Sequence, residues 1–310
     1  LQTFPELSGP YLGQEPPGNS PVLFAPGIVS TATREWSTAF RPDGRELFFG
    51  IDTPDRAYIV HMKEESGGWT EPVIASFSGQ YSDYDLTMGP DGSRLYFTSL
   101  RPADGGGPEI ENPDIWYVDR TEIGWGDPVR FPAPINTADR ELYPSVSNDG
   151  YLYFFSSRVG GFGRSDVYRV PVTNGRYGDL ENLGPTVNTA ASEGDICVSP
   201  DGDYIVFASS RDEGFGGSDL YVSFRRDGGW TEARNLGAVV NTEHREFCPS
   251  VSRDGKYLFF TSSRPRVEAL PDIRSAVRED LGASRGSEQP DFDIYWVDAR
   301  LMADLRVQPQ

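Results

Sequence analysis

Histidine and cysteine are nearly missing from this chain of 310 residues, which holds two of each. With only His61 and His244, a three-histidine metal site within one chain is excluded. Two cysteines cannot staple a disulfide scaffold, and Cys197 and Cys248 stand at unequal distances before their nearest Asp-Gly turns, which reads as two buried thiols and not a bridge. Long apolar runs are also missing, so no membrane-spanning helix is expected. Positive charge is scarce: 28 Lys and Arg stand against 47 Asp and Glu, for a net charge of −19 and a pI near 4.5. Such a surface repels nucleic acid and anionic membranes and favours solubility or cations. Helix-period segments are almost absent. The 34 glycines and 25 prolines fall mostly between short strand candidates, as an all-β chain requires.

What is present is repetition. Asp-Gly turns recur at Asp43-Gly44, Asp91-Gly92, Asp149-Gly150, Asp201-Gly202 and Asp254-Gly255, a period of roughly fifty residues that signals a ring or array of supersecondary units. In the third unit an alternating segment from Tyr143 to Val146 enters the turn and the aromatic run Tyr151 to Phe155 leaves it. A glycine-rich loop follows, then a strand from Asp166 to Val172 and a weaker one from Asp179 to Val187. Four short antiparallel strands make one propeller blade. The fifth unit has no outer strand of its own, while Ser20 to Ala25 reads like the outer-strand segment Glu71 to Ser76 with no blade before it. The expected fold is therefore a five-bladed β-propeller of four-stranded antiparallel blades, closed by an N-terminal strand that completes the last blade. Residues 1–310 form one domain, with an extension at 1–19, the closing strand at 20–30 and an insertion at 265–290. Within that insertion, Asp272 to Leu281 has helical spacing.

The recurring order of Ser-Pro/Asn/Arg-Asp-Gly, apolar run, Ser-Ser-Arg, then Asp-aliphatic-aromatic resembles the WD-repeat-like propellers of the TolB kind, over roughly residues 20 to 300. That resemblance implies an exported protein, periplasmic or secreted, that binds a protein, peptide or glycan partner. A chain beginning at Leu1 with no signal peptide is what a processed export product would show. A monomer is expected.

Candidate site residues fall at the end of the blades opposite the Asp-Gly turns. An acid stands eight residues before each turn aspartate, namely Glu35, Asp83, Glu141, Glu193 and Glu246, so five carboxylates are expected around one mouth of the central channel. Such a cluster needs cations. One supply is internal: Arg101, Arg158, Arg211 and Arg264 end the second strands, Asp114, Asp166, Asp219 and Asp293 begin the third, and unit one lacks both. The arginine and aspartate are expected to pair within each blade, with the ring acid as a second partner through the guanidinium fork, and Arg34, Arg140 and Arg245 lie beside ring acids. The other supply is a hard ion such as Ca²⁺ held by Glu35, Glu141, Glu193 and Glu246, with Asp85, Tyr143, Asp195 and the turn residues Asn136, Asn188 and Asn241 nearby. Calcium-holding lactonase-like propellers make a metal-assisted hydrolase, lactonase-like or phosphotriesterase-like, the alternative function, with His244 or Glu35 as base. Phe162 and Phe215 occupy equivalent Gly-Phe-Gly loops, where they stack on a ligand or plug the gap between blades. Gly282 to Gly286 matches G-x-S-x-G by letter only, since Ser284 does not sit between a strand and a helix. Long loops at Pro102 to Pro113 and Pro265 to Pro290 are places for binding specificity.

Overall fold

The computed structural model of the chain describes residues 4–31, 33–173, 175–266 and 292–307. Ser284 and the segment from Asp272 to Leu281 lie outside them. Five antiparallel sheets follow one another, each with an inner strand, a second strand after the Asp-Gly turn, and a third strand: Arg34–Phe40, Glu46–Asp52 and Ala57–Glu65 in blade 1. Blade 2 uses Asp83–Met88, Arg94–Ser99 and Asp114–Thr121, and blade 3 uses Glu141–Val146, Tyr151–Ser156 and Asp166–Thr173. Glu193–Val198, Tyr204–Ser209 and Asp219–Arg226 build blade 4, and Glu246–Val251, Tyr257–Ser262 and Asp293–Asp298 build blade 5. In blades 1 to 4 the outer strand is broken into two two-residue pieces, such as Arg176–Tyr177 and Glu181–Asn182 in blade 3, both paired with the third strand.

Blade 5 takes its outer strand from the N-terminus, where Val22 and Leu23 pair with Trp296 and Tyr295. The mimicry extends past the strand. Ser30 exchanges hydrogen bonds with the backbone of Ile294 as Asn136 does with Ile115, Asn188 with Val167 and Asn241 with Leu220. Each of these buried side chains acts as an extra rung on its third strand, satisfying backbone groups where the sheet ends. The three asparagines are therefore structural and not ligand donors.

Apolar residues gather in five clusters, one between each pair of neighbouring blades. Phe48 and Phe97 both meet Phe77 between blades 1 and 2, and Phe24, Phe40 and Phe259 meet between blades 5 and 1. At about 1.5–3 kcal/mol for each large side chain buried, these seams hold the ring together, and none exists without both neighbours. Two terminal segments add to them. Tyr11 and Leu12 pack across blades 5 and 1 on the Asp-Gly end, with the Tyr11 amide donating to the Gly44 carbonyl at 2.8 Å. A C-terminal helix, Arg300–Val307, which strand periodicity did not anticipate, buries Met302 against blades 4 and 5.

Candidate functional site: a blind cavity on the channel axis

The five ring acids do not face the channel. All five are fully buried within their blades. Glu141 accepts from the Thr137 amide (2.8 Å) and hydroxyl (2.7 Å), from Ser156 Oγ (2.8 Å) and from Arg158 (3.1 Å). Glu193 repeats this with Thr189, Ser209 and Arg211, and Glu246 with Thr242, Ser262 and Arg264. Asp83 accepts from Ser78 and from Arg101 at 2.7 Å. In blade 1, Thr31 and Thr33 both donate to Glu35. The acid thus folds the incoming loop, Asn-Thr in blades 3 to 5, onto the end of its own blade. The amides of Glu35, Glu141, Glu193 and Glu246 donate to the preceding blade, at Phe292, Pro113, Ser165 and Ser218.

Two expectations about charge pairing are corrected by this arrangement. The arginine at the second-strand end meets the ring acid and not the third-strand aspartate. Asp166 instead accepts from the amides of Phe162 and Gly163, and Asp219 from those of Phe215 and Gly216, so both cap the Gly-Phe-Gly loop; Asp114 takes Arg130, and Asp293 takes Arg266. Arg34 pairs with Asp52 at 2.7 Å and stacks on Phe292, so it does not serve Glu35. Nor are Glu35, Glu141, Glu193 and Glu246 gathered for a cation: each is enclosed by its own loop, and no group of three or more His, Cys, Asp or Glu placed to hold a metal occurs among the described residues. His244 is partly exposed beside Glu243 and is in a different blade from Glu35; His61 is packed, stacked on Phe48 and bonded to Glu46 at 2.9 Å. Phe162 and Phe215 are half exposed at their loop tips and fill no gap between blades. Their flanking glycines make the interblade contact: a Cβ at Gly163 would collide with the carbonyls of Thr189 and Ala191, and one at Gly216 with those of Thr242 and His244.

The channel is faced by the residues around each acid. Two positions beyond it, Ser37, Asp85, Tyr143, Asp195 and Cys248 all have φ between 46° and 54°. Sheet register breaks at the same place in every inner strand. Five equivalent β-bulges in the left-handed region, which non-glycine residues adopt at a cost, turn these side chains toward the axis. Tyr143 crosses the channel from blade 3, its hydroxyl donating to the Pro249 carbonyl of blade 5 at 3.1 Å. Beyond it, Arg253 donates to the carbonyls of Val146 and Met88 and closes the far end. The channel becomes a blind cavity of about 640 Å³.

Its walls are Trp36, Tyr84, Leu142, Phe247 and Phe292; Asp85, Asp195 and Cys248 lie deepest, and Arg34, Arg140, Arg245, Asp52 and Glu111 ring the mouth. Burial pushes the Asp195 carboxyl up to about 6, against the lowering effect of the Cys248 amide (3.3 Å) and Arg245. Burial and then repulsion from Asp195 hold Asp85 well above the usual carboxylate range, opposed by the Thr98 hydroxyl, the Tyr143 amide and Arg140. The same burial, with the charges of Asp195 and Asp85, raises the Cys248 thiol, which stays protonated. In the sequence Asp85 and Asp195 stand out only as companions of the ring acids. Their distinguishing signal is that they interrupt the five equivalent positions with charge where Ser37, Tyr143 and Cys248 have none.

No protein-family model matches the sequence, and no curated protein matches it. Solved structures do. A TolB-type protein from Agrobacterium tumefaciens aligns over 74% of this chain and 70% of its own, with 18% identity and a TM-score of 0.50. TolB from Acinetobacter baumannii aligns over 86% of this chain and 57% of its own, with 16% identity and a TM-score of 0.50. The fold is a TolB-like β-propeller. The chain spans little more than half of the Acinetobacter protein's length. An N-acetylgalactosamine deacetylase from F. plautii is similar over 96% of this chain and 99% of its own, at 14% identity and a TM-score of 0.54. At these identities the likeness is one of fold, and propellers of one fold serve unrelated functions. Among the described residues no helix is long and apolar enough to cross a membrane.

Proposed function

We propose that this TolB-like propeller is an exported binding module that takes a peptide into the cavity at its channel mouth. The observation that supports this reading is the pair Arg140 and Arg245. Both are exposed at the mouth, and neither has an ion-pair partner among the described residues, in a protein whose net charge is −19. A volume of about 640 Å³, aromatic walls and a few convergent charges are the makings of a ligand pocket. Trp36, Tyr84, Leu142 and Phe247 of its walls sit on rigid strands, so little ordering of them is required on binding. The TolB-like resemblance supports export. Peptide and oligosaccharide arrays probed with the wild-type protein and with Arg140→Ala/Arg245→Ala test the proposal. Selective peptide capture, weakened at least tenfold in the double variant, is expected; capture of oligosaccharides alone, or capture unaffected by the double variant, overturns it.

A further inference from the structure

Within the binding-module reading, on which this step rests, the cavity sorts its charges by depth. Arg140 and Arg245 immediately precede the inner strands of blades 3 and 5, whereas Asp85 and Asp195 sit at the bulges of blades 2 and 4, three positions further along equivalent strands. Three strand residues amount to roughly 10 Å along the channel axis. The mouth therefore carries a net positive charge, Asp52 being paired with Arg34 and Glu111 standing against both Arg140 and Arg245, while the floor carries only carboxyls, with Trp36, Tyr84 and Phe247 between the two levels. The floor is closed by Tyr143, so a ligand enters and leaves by one end.

We infer that the cavity recognises a short zwitterionic peptide, amino end first, with its ammonium at Asp85 and Asp195 and its carboxylate at Arg140 and Arg245. An extended chain of three residues covers about 10 Å, which matches the depth between the two charged levels. The residues around the two aspartates suit an organic ammonium and not a metal ion, since no metal-holding group occurs among the described residues. Aromatic walls add cation–π attraction for an ammonium on its way to the floor. The groups facing the two carboxyls are the Thr98 hydroxyl, the amides of Tyr143 and Cys248 and the Cys248 thiol, with Arg140 and Arg245 acting on them from the mouth. None supplies a full positive charge at the floor itself. In the empty cavity Asp85 consequently holds its proton more tightly than an ordinary carboxylate and Asp195 is only partly ionised near pH 6, so an arriving ammonium displaces protons to solvent.

Calorimetric titration at pH 6.5 with a panel of tripeptides differing in the middle residue, each free, N-acetylated or C-amidated, tests this. The free peptides are expected to bind with proton release, seen as a heat that changes between phosphate and imidazole buffers. Acetylation should weaken binding at least tenfold and amidation several-fold. Asp195→Asn should abolish the preference for free over acetylated peptides while leaving the fold intact by thermal melting. Acetylated peptides that bind as well as free ones would overturn the zwitterion inference and leave the binding module standing. Failure of every tripeptide, with longer peptides captured on the array, would also overturn it; failure of every peptide would remove both.

Discussion

Arg211→Ala tests the lock that the structure places at four of the five blade entries. Arg211 is almost buried; its Nε lies 3.3 Å from Glu193 Oε1, its Nη2 2.5 Å from the Val187 carbonyl, and its guanidinium over Tyr221 at 4.9 Å. Glu193 is fully buried and keeps its bonds to Thr189 and Ser209 when the arginine is removed. Stripping one partner from a buried pair costs about 3–5 kcal/mol, and the remaining bonds place this one near the lower limit, about 3 kcal/mol. The exposed pair Arg94 and Asp119 is the control, expected to contribute less than about 1 kcal/mol. Urea denaturation of Arg211→Ala, Glu193→Ala and the double variant closes a thermodynamic cycle, and a parallel cycle replaces Glu193 by Asp219. Coupling of at least about 1 kcal/mol is expected between Arg211 and Glu193, and near-additivity between Arg211 and Asp219, which caps a different loop. Coupling in the second cycle and none in the first would refute the assignment, as would a loss below about 1 kcal/mol in Arg211→Ala.

Removal of residues 1–31 should destabilise the whole ring cooperatively, because it takes the outer strand of blade 5, the Ser30 rung and the Thr31 partner of Glu35 together; a truncated protein that melts like the full chain would contradict this closure. Asp195 carries the opposite sign from a salt-bridged carboxylate. Its folded value, about 6, lies above that of an unfolded aspartate, so its contribution to stability is fully present below about pH 4 and is lost as pH rises through about 6. Asp195→Asn should therefore raise stability at pH 7.5 by on the order of 2 kcal/mol and change little at pH 4, as measured by thermal melts at both values.

Much of the architecture was written in the chain because it is local and repeated. Asp-Gly turns, strand-length apolar runs and the missing fifth outer strand are features of neighbouring residues, and five copies of one pattern leave few ways to assemble them. Closure by Val22 and Leu23 was legible for the same reason: an unpaired edge in blade 5 and an orphan strand at the other end answer each other. The roles of the acids were not legible. Alternation with period two puts Glu193 and Asp195 on one face of their strand, and so makes both line the channel. The bulge at Asp195 breaks that alternation, sending Glu193 into the blade, where Thr189, Ser209 and Arg211 enclose it, and Asp195 toward the axis. A one-residue irregularity leaves no composition signal, since Ser37, Asp85, Tyr143, Asp195 and Cys248 share a backbone shape without sharing a side chain. Which arginine meets which carboxylate, and that Tyr143 and Arg253 turn an open channel into a blind cavity, depend on contacts across blades far apart in sequence. Only the closed ring brings those groups together.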